Sequence, residues 1–504
     1  IEDREALFVQ TPEEINKRFN IDIRVKNEVI GIDRDQKEVD VRNLITNETY
    51  KEPYDTLVLA TGSSPIKPPI PGIDSPNVFT LWNVHDTDNI KNFIINKQPK
   101  EAVVIGGGFI GIETAENLHA LGMKVSVIEM LHQVMAPLDF EMSEIVHQNI
   151  RAQGVNLHLG DGVSKLDHKD GVTTVILQSG KTIHADMVIL SIGIRPNSKL
   201  AQNAGLQINE RGGIVVDEYL RTFHDKNIYA IGDVIEVTEF ISKNKTMIPL
   251  AGPANKQGRI CANNICGAEE KYKGTQGTSI VKVFDLSVAT TGINEKILKR
   301  LGMKYKKDYL TALIYTKSHA EYYPGANPMA IKVIFNHYGN ILGAQIIGQD
   351  GVDKRIDVIA ASVRLGGTVY DLKELELAYA PPYSSAKDPV NMIGFVGENI
   401  LKGLTDVVHW KSIEQFKREG YLLDVRDIDE YLDGHIEGAE HIPLNDLRSN
   451  LDNIPKDKKI IVYCKGGLRG YIAERYLKQN GFNDVSNISG GYVFHNYKLF
   501  SDDI

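Results

Sequence analysis

The sequence predicts an α/β protein of several domains, on three observations. Its 504 residues run in blocks where apolar strands alternate with amphipathic helices, the pattern of sheets covered by helices. A glycine-rich turn at residues 106–111 joins an apolar strand to a helix. A second strand-to-helix turn, at residues 464–469, carries a cysteine. The length suits roughly three or four domains.

Composition narrows the class. With 42% hydrophobic and 24% charged residues, the chain has the make-up of a soluble globular protein. The net charge of −9 and the lack of a concentrated Lys/Arg stripe argue against a nucleic-acid partner. No apolar run approaches the ~18–20 residues that span a bilayer, and the start shows no charged-then-apolar signal peptide. No membrane partner and no metal site are expected. Three cysteines, Cys261, Cys266 and Cys464, are too few for a disulfide framework and point to a reducing, cytoplasmic setting.

In chain order, a helix is expected after Thr11 and Pro12. Short strands follow at residues 21–25 and 39–41, then a buried strand at 56–60. A complete βαβ unit begins with a strand at 102–105, continues in a helix to about Leu121 and closes with a strand at 125–129. A β-rich stretch then reaches about Gly193. From Ile228 to about Cys266 the order is strand, loop and long helix, with Cys261 and Cys266 both read as buried small hydrophobes. Residues from about 278 to 400 mix strands with two helices, and a separate small α/β unit opens near His409 after a soft boundary at about Gly403.

The turn Gly106-Gly107-Gly108-Phe109-Ile110-Gly111 has the G-x-G-x-x-G spacing in the context it needs, after a strand and at the start of a helix. Gly106 permits the tight turn, Gly108 lets the backbone approach a pyrophosphate, and Gly111 lets helix and strand pack closely. The helix start offers N–H donors and a positive dipole end. Glu129 ends the second strand, 18 residues after Gly111. A carboxylate there accepts ribose hydroxyls and repels a 2′-phosphate, so NADH is expected over NADPH.

Two more apolar strands end in glycine turns. Ala60-Thr61-Gly62 follows the strand 57–59, and Ile228-Tyr229-Ala230-Ile231-Gly232-Asp233 ends in Gly-Asp. On either side of the nucleotide turn, they resemble the two-dinucleotide-domain flavoprotein reductases. Ser191-Ile192-Gly193-Ile194-Arg195-Pro196-Asn197 is similar to the link that returns from the NAD domain in that family. Three further segments look like the coenzyme A-disulfide reductases. They are Ala254-Asn255-Lys256-Gln257-Gly258-Arg259, Ser318-His319-Ala320-Glu321-Tyr322-Tyr323-Pro324 and the run from Tyr379 through Lys387 to Pro389. The resemblance covers essentially all of residues 1–400.

That resemblance implies two interleaved dinucleotide-binding, Rossmann-like domains and an α+β dimerisation domain. FAD binding falls to residues 1–95 and 217–285, NAD(P)H binding to 96–216, and dimerisation to 286–402. FAD, NADH or NADPH, and coenzyme A are the implied cofactors and ligand. Ala60, Thr61, Gly62, Gly193, Gly232 and Asp233 are placed on the nucleotides, with Asp233 on the flavin's ribityl or phosphate groups. Tyr322 and Tyr379 are expected to reach across a homodimer interface into the partner's sulfur site. Phenols stabilise a developing thiolate, and Arg18, Asn255 and Lys387 are expected to touch coenzyme A. The resemblance also implies an earlier segment of roughly 50 residues, with a first FAD loop and an attacking cysteine. The sequence begins at Ile1, after that point. A chain that truly started there is expected to bind FAD poorly and to lack reductase chemistry.

From about His409 to residue 504 a second resemblance appears. Leu422-Leu423-Asp424-Val425-Arg426, His435-Ile436-Glu437-Gly438-Ala439, His441-Ile442-Pro443 and Gly490-Gly491-Tyr492 are similar to rhodanese domains, which are small α/β units. Cys464 ends the strand 460–463, and Lys465-Gly466-Gly467-Leu468-Arg469 leads into a helix at 470–478. A cysteine there points its sulfur into a loop of backbone N–H groups, which stabilises a thiolate or persulfide anion. Lys465 and Arg469 add positive charge, and no acid lies within the loop. The spacing Cys464-x4-Arg469 is one residue shorter than the phosphatase Cys-x5-Arg loop, which favours sulfur over the larger phosphoryl group.

Together the two resemblances imply NAD(P)H-driven, flavin-dependent reduction of coenzyme A disulfide or of coenzyme A and small-molecule persulfides, coupled to a sulfur carrier at Cys464. Two alternatives stay open on the sequence alone. One is an NADH oxidase or peroxidase on the same flavoprotein plan, and the other is a non-catalytic redox scaffold.

Overall fold

The computed structural model describes residues 4–495. The chain divides into two compact units, one of residues 1–106 and 163–277 and one of residues 107–162 and 278–504.

In the first unit the helix Pro12–Phe19 starts at Thr11. The Thr11 hydroxyl accepts the Glu14 N–H and the Glu14 carboxylate accepts the Thr11 N–H, a reciprocal cap that satisfies two end donors. The strand expected at 21–25 does not form. Ile21 and Val25 are exposed there, and pairing begins only with Asn27–Asp33, against Glu38–Asn43 and then Thr49–Pro53. β-branched residues alone do not make a strand when no neighbour offers a ladder.

The strand Leu57–Leu59 runs parallel to Ile228–Ala230. Leu59 is buried and Val58 is 37% exposed, so among the described residues the strand is covered on the face that carries Leu59. Met187–Leu190 is parallel to Val78–Thr80 on one side and Glu101–Ile105 on the other. The helix Ala251–Ile265 lays Ile260 and Cys261 into a core with Leu59, Ile228, Ala230 and Ile235. Burial pushes the Cys261 thiol up to about 11. Cys266, expected to be buried as well, is exposed at the end of that helix. Gly267 then turns the chain with φ +93°, a conformation open mainly to glycine.

In the second unit the helix Phe109–Ala120 precedes the strand Lys124–Glu129, which is parallel to Asn156–Leu159. Between these two strands lies the helix Phe140–Ala152, inside what the sequence suggested was a β-rich stretch. Its buried residues are Met142, Ser143, Glu144, Val146, His147 and Ile150, a three-and-four spacing proper to a helix. Three of those six positions are polar, and they mask the apolar period.

A five-stranded antiparallel sheet follows. Its order is Ser279–Val283, Leu286–Gly292, Ile341–Gly348, Pro328–Phe335 and Leu310–Lys317. Four helices accompany it where two were expected: Glu295–Arg300, Val352–Arg364, Val369–Glu374 and Pro389–Leu401. The two extra ones have six residues each, too few turns to show a period. Lys332, buried on a strand of the sheet, meets Asp139 at 2.8 Å, Glu295 at 2.7 Å and Glu141. Burial alone would lower the lysine's pKa, but the three carboxylates raise it well above its ordinary value.

The last layer is a five-stranded parallel sheet, ordered Val407–Val408, Val485–Ile488, Ile460–Tyr463, Tyr421–Asp424 and Glu440–His441. Its core includes Leu423, Val462, Ala473, Leu477 and Phe482. Among the described residues, no helix is long and apolar enough to cross a membrane.

Candidate functional site

The glycine turn is built as its spacing demands. Gly106 has φ +111°, and a Cβ there would stand 2.3 Å from the Ser191 carbonyl oxygen, so no other residue fits. Gly107 N–H donates to Glu129 Oε2 at 2.7 Å, and Leu131 N–H donates to Glu129 Oε1 at 2.8 Å. The carboxylate that ends the strand is therefore locked beside the turn. Gly108 caps the helix with no side chain engaged, and nothing lies within 4 Å of where its Cβ would be. Gly111 is buried in the first turn of the helix. Free N–H groups, open space and a fixed carboxylate together fit a dinucleotide.

The flavin-type residues converge within the first unit. Gly62 has φ +63° with open space within 4 Å of where a Cβ would stand, and Gly232 has φ +78°. Ser63 Oγ donates to Asp233 Oδ2 at 3.1 Å, and Gly232 N–H donates to Gln257 Oε1 at 2.7 Å. Thr61 Oγ1 donates to the Asn197 carbonyl at 2.7 Å, and Ala60 is exposed. Gly193, at φ +116°, accepts the Ile66 N–H through its carbonyl at 3.0 Å. The Ala-Thr-Gly turn, the Gly-Asp turn and the return link thus form one polar edge. Its open glycine and its carboxylate suit the polar groups of a flavin nucleotide.

Tyr322 and Tyr379, 57 residues apart in sequence, place their hydroxyls 3.4 Å from each other. Both are exposed. The hydrogen bond with Tyr379 raises the Tyr322 hydroxyl above its ordinary pKa. Tyr379 also lines a cavity of about 560 Å³ with His319, Lys354, Arg355 and Tyr383. Arg355 was not anticipated. It is 2% exposed and donates to the Ser318 carbonyl at 2.8 Å, the Tyr383 carbonyl at 3.3 Å and Asp388 Oδ2 at 3.1 Å. It therefore ties the segment before Tyr322 to the segment after Tyr379. Asp388 caps the helix that Pro389 opens. Arg355, inside an amphipathic helix, gave no signal.

The coenzyme A candidates are less gathered. Arg18 lies exposed in the last turn of its helix. Asn255 is exposed and donates to the Ala251 carbonyl of its own helix at 3.0 Å. Lys387 is exposed beside the buried Asp388. The first two belong to one compact unit and Lys387 to the other.

Cys464 ends its strand and is 2% exposed. Its Sγ accepts the Gly467 N–H at 3.1 Å. Gly467 has φ +116° and caps the helix Leu468–Gln479. Its carbonyl is held by Asn487 Nδ2 at 3.0 Å, a contact no motif announced. Arg469 does not stand free, as the loop's sequence suggested. Its guanidinium reaches Asp427 at 2.8 Å and Glu430 at 2.6 and 2.9 Å. These acids come from a helix about forty residues earlier, so a reading confined to the loop could not see them. Asp424 and Arg426 form a buried pair, with Nη2 to Oδ2 at 2.7 Å, and the Arg426 guanidinium sits 3.9 Å from the Tyr492 ring centre.

Residues 2–258 match the pyridine nucleotide-disulphide oxidoreductase family. The chain belongs to that family. Residues 278–389 match the family's dimerisation domain, and residues 409–493 match the rhodanese-like domain. The coenzyme A disulfide reductase of Staphylococcus aureus strain JH9 is 34% identical over 397 residues, 78% of this chain and 87% of that protein. Among solved structures, the reduced CoADR-RHD of Bacillus anthracis is 50% identical with a TM-score of 0.95, covering 99% of this chain and 88% of that one. The NAD-dependent persulfide reductase of A. fulgidus is 40% identical with a TM-score of 0.89, covering 97% and 88%. As a member of this oxidoreductase family, the chain has the predicted α/β fold, with its dinucleotide-binding region, dimerisation domain and C-terminal rhodanese domain.

Proposed function

We propose that this chain is a cytoplasmic, flavin-dependent reductase that draws electrons from NADH, reduces coenzyme A disulfide or persulfides of coenzyme A and small thiols, and carries sulfur on Cys464. Two arrangements carry the reading. A pair of tyrosine hydroxyls 3.4 Å apart stands beside a cavity, on a chain whose cysteine sulfur accepts a backbone N–H at a helix start. The first arrangement suits a leaving thiolate and the second a bound sulfur anion.

Each residue has a task in this reading. Gly106, Gly108 and Gly111 shape the turn that takes the NADH pyrophosphate, and Glu129 takes the ribose hydroxyls. Ala60, Thr61, Gly62, Gly193, Gly232 and Asp233 hold FAD, which when bound supplies the passage of two electrons from nicotinamide to sulfur. Tyr322 and Tyr379 donate hydrogen bonds to the sulfur that departs with the electron pair of the S–S bond. In a homodimer these two exposed residues serve the partner's site. Arg18, Asn255 and Lys387 meet the polar groups of coenzyme A. Cys261 is not assigned as the attacking thiol, because it is buried and its pKa is pushed up to about 11. Such a thiol stays protonated and unreactive near neutrality.

The test is steady-state NADH oxidation by the full-length protein with coenzyme A disulfide, coenzyme A persulfide and polysulfide in parallel. Turnover of at least one of them, faster than oxygen consumption, is expected. Oxygen or peroxide consumption that outpaces all three would replace this reading with that of an NADH oxidase or peroxidase.

A further inference from the structure

The positive charge of the Cys464 loop is largely spoken for. Arg469, in the first turn of its helix, gives Nη1 and Nη2 to the two oxygens of Glu430 at 2.6 and 2.9 Å, and Nη1 also meets Asp427 at 2.8 Å. The Glu430 contact is the two-pronged geometry that fixes a guanidinium most firmly. The hydrogen bond from Arg469 holds the Glu430 carboxyl below its usual pKa, so the pair is ionised at neutral pH. Glu430 is itself set by a capping contact, accepting the Asp427 N–H at 3.2 Å. Lys465 is exposed and forms no ion pair among the described residues. The two acids offset the charge of Arg469, and Lys465 is left as the loop's unpaired cation among the described residues.

We propose that Glu430 determines which sulfur donor the Cys464 loop accepts: by holding Arg469 away from an incoming anion, it selects persulfides, whose reacting sulfur group carries at most one charge, over donors of the thiosulfate type, whose reacting group is a dianion. The proposal rests on the reading of Cys464 as a sulfur carrier. With thiosulfate, the Cys464 thiolate attacks the outer sulfur, the S–S bond breaks, and sulfite leaves with the electron pair and two negative charges. With a persulfide, the thiolate attacks the outer sulfur, and a thiolate leaves with the electron pair and one charge. Both routes produce a Cys464 persulfide. The first needs a fork of donors for the sulfonate oxygens, and that fork is occupied by Glu430. The second needs only the backbone N–H groups of the loop, such as that of Gly467.

The experiment uses the full chain and its Glu430→Gln variant. A glutamine keeps the capping contact, since Gln serves that position as well as Glu, and it removes the charge of the two-pronged contact, leaving Asp427 as the one acid on Arg469. The kcat/KM values are measured for thiosulfate and for glutathione persulfide, with cyanide as acceptor. The thiosulfate-to-persulfide ratio is expected to rise on the order of 10-fold in the variant. Adding Arg469→Gln to Glu430→Gln is expected to return the ratio to the parent value. An unchanged or lower ratio in Glu430→Gln overturns the proposal, and so does a raised ratio that survives loss of Arg469. If the parent chain uses neither donor, the sulfur-carrier reading itself fails. If persulfide is used and the ratio stays fixed, only the role of Glu430 fails.

Discussion

The turn at Gly106–Gly111 and the loop at Cys464–Arg469 are the same local device turned to two ends. Each follows a parallel strand, opens a 12-residue helix and places a glycine with no capping side chain at the helix start. Each also contains a glycine at positive φ, Gly106 at φ +111° and Gly467 at φ +116°. The difference lies in what accepts a backbone N–H. In the first, the Glu129 carboxylate takes the Gly107 N–H. In the second, the Cys464 sulfur takes the Gly467 N–H. A helix start supplies donors and a partial positive charge, and in the proposed reading the side chain set beside it fits one to a ribose and pyrophosphate and the other to a sulfur anion. The surroundings differ as well. A Cβ on Gly106 would collide with the Ser191 carbonyl, while nothing lies within 4 Å of one on Gly467.

The largest expected effect separates the two loops by function. Cys464→Ser should cut sulfur transfer from a persulfide by more than about 100-fold, because the hydroxyl is a poor nucleophile at neutral pH. NADH-driven reduction of coenzyme A disulfide should persist in the same preparation. Parallel loss of both activities would break the division of labour. Next comes the contrast of the two glycines. Gly106→Ala should cost about 3 kcal/mol or more, from backbone strain plus collision with Ser191. Gly467→Ala should cost about 1–2 kcal/mol, from strain alone. Thermal unfolding midpoints of the two variants check this, and equal losses would show that the space around the turn is irrelevant. The smallest effect concerns the nucleotide. Glu129→Gln should narrow the preference for NADH over NADPH by roughly 10-fold in kcat/KM. A preference that does not move would remove Glu129 from the ribose site.

The local motifs were readable because each is a short run whose chemistry depends on neighbours in sequence. Gly106, Gly108, Asp233 and Cys464 all stand at strand ends, where a few apolar residues mark the strand and a glycine marks the turn. Contacts between distant segments were not readable. Glu430 meets Arg469 across 39 residues and Arg355 reaches Asp388 across 33, and no spacing rule announces either pair. The helix Phe140–Ala152 was hidden because Ser143 and His147 face inward. Buried there, His147 accepts the Val134 N–H at 3.0 Å and shares a 2.6 Å hydrogen bond with Glu144. Polar residues that satisfy each other inside a core look, in sequence, like a solvent-facing side. Cys266 misled in the opposite sense, as an apolar-looking residue set just past the last turn of its helix.

The central claim is that Cys464 carries the sulfur that the NADH-driven half removes. It is tested most directly by following the mass of the peptide containing Cys464 in the full-length protein. The protein is given glutathione persulfide and coenzyme A, then NADH. The account predicts that the peptide gains one sulfur atom before NADH is added and loses it afterwards, with sulfide released. Sulfur appearing on a peptide without Cys464, or remaining on Cys464 while NADH is consumed, would contradict it.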